Sequence, residues 1–428
     1  MRAIILAAGR SKRMKPIEDK NFLKFLGKTL LECQVDIVKK AGFKNITIIA
    51  GEHNIAKIKK TFPKLEVIKQ KNLDEGMAGA MDSLHPYLKD EAILILSAND
   101  FLDESAFNLM KKASEKSPAE ILMLAKKVKS YFPGGYLEVA NKNRITDIIE
   151  KPGEGKEPSD MINIVLHIHK NPKKLIETIK KIKTAKDDKY EMAIAKLIKE
   201  DTHAEAVPYT GLWQALKYPW HILELQKYFL STIRKSKISK TAKISKSAQI
   251  KGSVIIEDNV KIFDHATVVG PIYIGKNSII ANNSLVRESM IGDSCVIGFN
   301  SEVARSNLAD HVWLHTNYIG DSIVSENTAL GAGSVTGNLR LDEGEIRMDI
   351  QGEKTGSNSN KFGSVIGKDC RIGINVSIMP GVKIGENAFI TGGLIINQDI
   401  PDNSFVKGKV TLEIKENKLD GSKLKRSL

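Results

Sequence analysis

The sequence has few of the residues that most quickly narrow a chain's class. Three cysteines, Cys33, Cys295 and Cys370, stand far apart in 428 residues, without metal-ligand spacing. An odd, scattered set argues against a disulfide framework and fits a reducing compartment, so a cytoplasmic protein is expected. No apolar run approaches the ~20 residues of a membrane-spanning helix, and no membrane partner is expected. The short apolar run at the start leads straight into a glycine turn, which is not a signal-peptide pattern. The net charge is +14, but the lysines are spread along the whole chain. With no clustered basic face and no binding motif, no nucleic-acid partner is expected; the spread reads first as a lysine-rich composition, and second as dispersed positive potential that concentrates phosphorylated substrates. Apolar content of 42% with 27% charged is that of an ordinary globular chain, long enough for two or three domains.

What is there divides into two halves. Up to about residue 230, short apolar runs such as "AIILAAG", "ITIIAG", "LEVIKQ" and "AILILSAND" end in Gly, Asn or Asp. Helical patterns such as "TLLECQVDIVKKAG" and "FNLMKKASEK" lie between them. Strands alternating with helices predict a Rossmann-like α/β domain with a mostly parallel sheet, and ligands at the carboxyl ends of its strands.

From about residue 235 an aliphatic residue recurs at every sixth position: Ile238, Ile244, Ile250, Ile256, Ile262, Val268, Ile274 and Ile280. After a one-residue slip the series resumes at Leu285, Ile291, Ile297 and Val303, and it returns from Ile366 to Ile396. A period of six fits neither a helix nor an alternating strand. It predicts a parallel β-helix of hexapeptide repeats, each flat side taking one hexapeptide and turning its aliphatic residue inward. Residues 338–362 break the period; "GEIRMDIQGEKTG" alternates and ends in turn residues, so a hairpin-like excursion on a binding face is expected.

The opening "MRAIILAAGRSKRMKP" has the outline of a phosphate cradle. A strand ends in Ala7, Ala8 and Gly9, small enough for backbone N–H groups to approach oxygens, and Arg10, Lys12, Arg13 and Lys15 follow. The stretch resembles the "LAAGxGTRM" loop of nucleoside-diphosphate-sugar pyrophosphorylases. Ser11 stands where that family has its second glycine. In "DKNFLKFLGKTLLE", Lys20 falls on the family's lysine and Asp19 on its proline. "ILILSANDFLDE" matches the strand ending in Gly-Asp, with Asn99 for the glycine. "DIIEKPGEG" matches "IxEKP", "INIVLHI" matches the strand that faces the sugar, and "GLWQALKYPWHILELQKY" matches the closing segment. In that segment Ala215 and His221 replace acidic residues.

The resemblance implies roles for these residues. Leu6, Ala7, Ala8, Gly9, Gln70 and Gly76 would bind nucleotide, and Arg13 and Lys20 would serve catalysis. Asp100 would hold Mg²⁺, and Glu150, Lys151 and Asn163 would face the sugar phosphate. The base-reading loop leaves the nucleotide open. Gln70 and Gly76 only partly follow the uracil- or thymine-selecting pattern, and the spacing of Asn72, Asp74 and Ser83 is about as close to cytidylyltransferase-like loops.

In the repeat region, "HTNYIGDS" and "GAGSVTGNLRLD" resemble the acetyltransferase site of bifunctional sugar-phosphate enzymes, closest in layout to archaeal-type glucosamine- or galactosamine-1-phosphate acetyltransferases with a nucleotidylyltransferase in front. This implies His315 as general base toward the sugar amine and acetyl-CoA, a role suited to an imidazole. Tyr318, Asn338, Arg347 and Lys361 would hold the sugar phosphate or amine, with Gly344 and Arg347 where the family has lysines. The implied layout is a nucleotidylyltransferase-like domain over 1–232, a left-handed β-helix of acyltransferase type over 233–410, a basic tail over 411–428, and a homotrimer. Two alternatives remain beside the bifunctional enzyme: a chain with one of the two activities, and a non-catalytic regulatory or scaffold subunit of the same layout.

Overall fold

The computed structural model describes residues 1–184, 186–409 and 413–416, so the predicted tail over 411–428 lies outside the described residues except for 413–416. In the front domain the strands Glu66–Lys69, Ile46–Ala50, Arg2–Ala7 and Ile93–Ser97 lie side by side in that order, all parallel. Alternation along them feeds two layers. Ile4, Ile49 and Ile95 pack with Met81, Leu175 and Leu197 on one side; Ile5, Ile48 and Leu96 pack with Val35 and Met110 on the other. The parallel part is the part that ends in the predicted cradle. Beyond Ile93–Ser97 the sheet continues antiparallel through Met161–His169, which branches to Ile121–Lys127 on one path and Gly135–Val139 on the other.

From Lys237 onward the chain winds as a left-handed β-helix whose three sides are parallel sheets of eight, nine and eight strands among the described residues. Inward residues stack coil upon coil into one apolar column that includes Ile256, Ile274, Ile291, Leu308, Val324, Ile366 and Ile384. Corners are turned by residues with positive φ, often asparagine, among them Asn259, Asn277, Asn283, Asn300 and Asn327. Asparagine tolerates the left-handed region better than most residues with a Cβ.

The strict six-residue rule fails in the middle for a geometric reason. Val286, not Leu285, points inward; Leu285 faces out, so the shortened turn falls after Val286. Coils then shorten, as the register Val303↔Ile319↔Thr336 shows, and Leu308, Leu314, Ile319, Val324, Leu330 and Thr336 fill the column at spacings of five or six. The excursion is a hairpin, Arg347–Ile350 paired antiparallel with Glu353–Gly356. It turns at Gln351 and Gly352, both with positive φ, as a two-residue hairpin turn requires.

The two domains share a core. Tyr273, Met290, Ile323 and Val365, outward on one β-helix side, pack against Phe25, Trp220 and Phe229 of the front domain and against Ile346, Met348 and Ile350 of the hairpin. Phe25 stacks on Phe229 at 4.9 Å, and Gln226 on the helix Trp220–Ser231 accepts from Asn307 Nδ2 at 3.0 Å. No helix among the described residues is long and apolar enough to cross a membrane.

Candidate functional site

The carboxyl ends of the parallel strands open into a cleft of about 560 Å³. Leu6, Ala8, Gly9, Arg13, Lys20, Gln70, Gly76, Asp100, Glu150, Lys151 and Asn163 all line it. Ala7 does not: it is buried in the core, and its carbonyl accepts from Asn21 Nδ2 (3.1 Å) and Asn54 Nδ2 (2.9 Å). Ser11 sits at φ +50, a conformation that favours glycine, and its hydroxyl accepts from the Lys20 backbone N–H at 3.3 Å. The extra side chain of the cradle thereby ties the loop to the segment that carries Lys20.

Lys20 is 8% exposed, and its Nζ donates to Leu216 O at 2.8 Å. Burial pulls its ammonium down to about 8, against the opposing pull of Asp100. Asp100 accepts from Trp213 Nε1 at 3.2 Å, and burial pushes its carboxyl up against the pull of Lys217 and Lys20. Across the strand pair Ala215 stands opposite Asp100, so a second carboxylate is missing there. Two residues on, a lysine that the motif comparison did not single out lines the cleft. Lys217 donates to Pro133 O at 2.7 Å, lies over the Phe132 ring at 3.7 Å, and is likewise lowered to about 8 by burial. His221 accepts from the Lys217 backbone N–H at 3.1 Å and is pulled down to about 4 by burial. The Arg13 guanidinium lies 5.6 Å from the Tyr218 ring centroid.

At the base-reading end, Gln70 Nε2 donates to Asn72 O and Gly76 O, both at 2.8 Å, which leaves only Oε1 of the amide for a ligand. Ser83 is buried, accepting from Lys71 N and donating to Gly79 O, so it shapes the loop. Gly76 has φ +50, and a Cβ there would lie 2.2 Å from Asp187 Oδ1. Elsewhere on the cleft wall Lys151 Nζ pairs with Glu150 Oε1 at 3.0 Å. Glu191, pushed up to about 8 by burial and then by Glu150, lines the same cleft and carries no motif. Gln351, at the hairpin tip of the β-helix domain, also lines this cleft.

The acetyltransferase-like residues are not gathered in one chain. His315 is exposed and lines a groove with Arg371, Phe389 and Phe405; its backbone N–H donates to Asn317 Oδ1 at 2.7 Å. Tyr318 and Asn338 belong to a network: Asn338 Nδ2 donates to Tyr318 Oη (3.2 Å) and Asp321 Oδ2 (2.5 Å), and Arg305 grips Asp321 with two bonds of 2.7 and 2.6 Å. Lys361 lines a second groove with Arg305 and Asp321. Arg347 lines neither groove and stands on the hairpin 3.5 Å from Glu345. The Arg305–Asp321 pair was legible in principle, because sixteen residues is one coil at this height.

Comparison with known proteins covers both halves. A family model of the MobA-like NTP transferase domain matches residues 3–217, and the bacterial transferase hexapeptide (six repeats) matches 253–288 and 363–398. The chain is 32% identical to the bifunctional sugar-1-phosphate nucleotidylyltransferase/acetyltransferase of Sulfurisphaera tokodaii, over 95% of this chain and 100% of that protein. It is 32% identical to the bifunctional protein GlmU of Methanocaldococcus jannaschii over 95% and 97%, and 29% identical to that of Methanococcus aeolicus over 97% and 99%.

Proposed function

The chain belongs to the family of bifunctional sugar-1-phosphate nucleotidylyltransferase/acetyltransferases, and from that premise we propose how its two domains divide the work. The front domain joins a nucleoside triphosphate to a sugar 1-phosphate and releases pyrophosphate. The β-helix transfers acetyl from acetyl-CoA to the nitrogen of an amino-sugar 1-phosphate. Both co-substrates belong to the cytoplasm, where the enzyme works. The observation that carries the first assignment is that one cleft holds the Gly9–Arg13 cradle, Lys20 and Asp100 together with Glu150, Lys151 and Asn163.

In this reading the triphosphate lies along Gly9–Arg13 and the sugar lies toward Glu150 and Asn163. A phosphate oxygen of the sugar phosphate attacks the α-phosphorus and pyrophosphate leaves, so the protein's contribution is alignment and charge neutralisation. Arg13, Lys20 and Lys217 supply fixed positive charge. Asp100 would hold Mg²⁺, and Ala215, which faces it across the strand pair, offers no second carboxylate. One carboxylate fits an ion that keeps its waters and binds substrate phosphates. When bound, Mg²⁺ adds charge neutralisation on those phosphates.

For acetyl transfer, His315 takes the proton of the sugar amine as the amine attacks the thioester, and CoA leaves as the thiol. The sugar phosphate is held by Lys361 and the Tyr318–Asn338 network of a neighbouring copy in a homotrimer. Support comes from the outward residues of the His315 side, where Ile279, Val296 and Trp313, then Ala329 and Arg371, then Phe389 and Phe405 stand on one ladder. Trp313 is 52% and Phe405 70% exposed in the single chain. Such a stripe is the kind of surface a second copy covers.

The test is pyrophosphate release from the full chain with Mg²⁺, each common NTP, and glucose, glucosamine, galactosamine or N-acetylglucosamine 1-phosphate, with free CoA followed in parallel. Both products are expected. Free CoA alone would restrict the chain to acetyl transfer, and neither product from folded protein would move it to the scaffold reading.

A further inference from the structure

Behind Asn163 the front domain buries a polar chain of His167, Tyr190 and His169. His167 Nε2 lies 2.6 Å from Asn163 Oδ1, His167 Nδ1 lies 2.9 Å from Tyr190 Oη, and Tyr190 Oη lies 2.9 Å from His169 Nε2. All three residues are at most 1% exposed. The fold makes the first contact possible. Between Ile164 and His167 the register against Ile121–Lys127 shifts, so Asn163 and His167 stand opposite Ala125 and Met123, only two residues apart. Two strand residues span about 7 Å where four would span about 13 Å, so the bulge brings the imidazole within reach of the amide. Neither histidine has any evident work in the core except through this chain. Burying two imidazoles and a phenol where aliphatic residues would pack is costly unless every polar atom is satisfied.

We infer that His169, Tyr190 and His167 form a positioning relay that fixes the side-chain amide of Asn163 with its NH₂ group turned into the sugar end of the cleft. This rests on the nucleotidyl-transfer reading of that cleft. The direction follows from donor counting. Asn163 Oδ1 only accepts, so His167 Nε2 carries the proton and its Nδ1 accepts. Tyr190 has one hydrogen, gives it to His167 Nδ1, and therefore accepts from His169 Nε2–H. Burial keeps both imidazoles neutral, His169 falling to about 3 and His167 well below its ordinary value. On its other side the amide faces Gly135 and Glu150. A Cβ built on Gly135 would lie 3.0 Å from Glu150 Oε2 and 3.7 Å from Asn163 Nδ2, so the NH₂ and the Glu150 carboxylate flank the same point of the cleft wall. The flipped amide would turn its oxygen toward that carboxylate and reverse every bond of the relay. Asn163 is thus a fixed donor beside a fixed acceptor, a pair that selects a sugar offering an acceptor to one and a hydroxyl to the other.

The experiment uses the full chain and three variants, His167→Leu, His167→Gln and Tyr190→Phe, with KM measured separately for sugar 1-phosphate and NTP. Glutamine keeps an N–H near the position of Nε2; leucine does not. His167→Leu is expected to raise the sugar-phosphate KM about tenfold while the NTP KM stays put, and His167→Gln to stay within about threefold of the parent; Tyr190→Phe falls between. An unchanged sugar-phosphate KM in folded His167→Leu, or a glutamine variant as impaired as leucine, overturns the inference. A readout independent of activity is the ¹⁵N spectrum of labelled histidine in the parent protein, with the His167 signals assigned by their loss in His167→Gln. His167 should show the neutral Nε2–H tautomer, unchanged between pH 6 and 8; an Nδ1–H tautomer or a titrating ring overturns the relay. If the parent releases no pyrophosphate from any substrate pair, the functional reading falls, and the tautomer alone decides whether the relay stands.

Discussion

In the front domain the lysines proposed to neutralise the triphosphate are inside. Lys20 and Lys217 are bonded to backbone carbonyls and share their surroundings with Asp100. On the β-helix, His315 and Lys361 stand exposed on different grooves. The difference follows from the two architectures. Loops leaving the carboxyl ends of a sheet can fold over one another and enclose a cleft within one chain. A β-helix is a convex prism whose side chains radiate outward, so groups on two of its sides meet across a cavity only when another prism supplies the opposite wall. The first design bears the cost of burying charge within a single chain; in the proposed homotrimer the second would defer it to assembly. The hairpin 347–356 connects the two. It leaves the β-helix at Asn338, inserts Ile346, Met348 and Ile350 into the shared core, reaches the front cleft with Gln351, and returns through Ser357–Lys361 to the second groove.

The sharpest way to separate the two sites is Lys20→Ala, expected to lower pyrophosphate release about a thousandfold while free CoA release is unchanged. His315→Ala should do the reverse, lowering CoA release about a hundredfold and leaving pyrophosphate release intact. A variant that damages both reactions equally would break the comparison. The pH profiles should diverge as well. Lys20 and Lys217 are lowered to about 8, so each carries its charge below that pH and loses it as pH rises through it. The kcat/KM for pyrophosphate release, which reports the free enzyme, should fall roughly tenfold between about pH 7.5 and 9. Acetyl transfer by a histidine base should not fall with it. The smallest effect tests the bridge: Gln351→Ala, at the one residue of the β-helix domain among those lining the front cleft, should raise a substrate KM there by about fivefold or less.

What was legible in the sequence was whatever repeats or lies close together in the chain. The period of six announced the β-helix because each coil solves the same packing problem. It failed from Val286 to Thr336 because shortened coils drop a corner residue, and because a buried threonine can fill an inward position. The cradle was legible because its residues are consecutive. Lys217 was not, because what marks it is a carbonyl 84 residues away and a carboxylate on a neighbouring strand. Nor was the relay behind Asn163, which exists only because a bulge shortens one strand and a helix delivers Tyr190 from 23 residues on.

The claim that one site is complete within a chain and the other is made between chains can be tested by subunit mixing. His315→Ala and Lys361→Ala chains, each expected to be strongly impaired in acetyl transfer alone, would be co-expressed and purified as mixed oligomers. The account predicts recovered CoA release, because some sites then pair an intact His315 with an intact Lys361 from a neighbour, while pyrophosphate release stays at the parent level throughout. Mixed oligomers that remain as inactive in CoA release as either parent variant would contradict it.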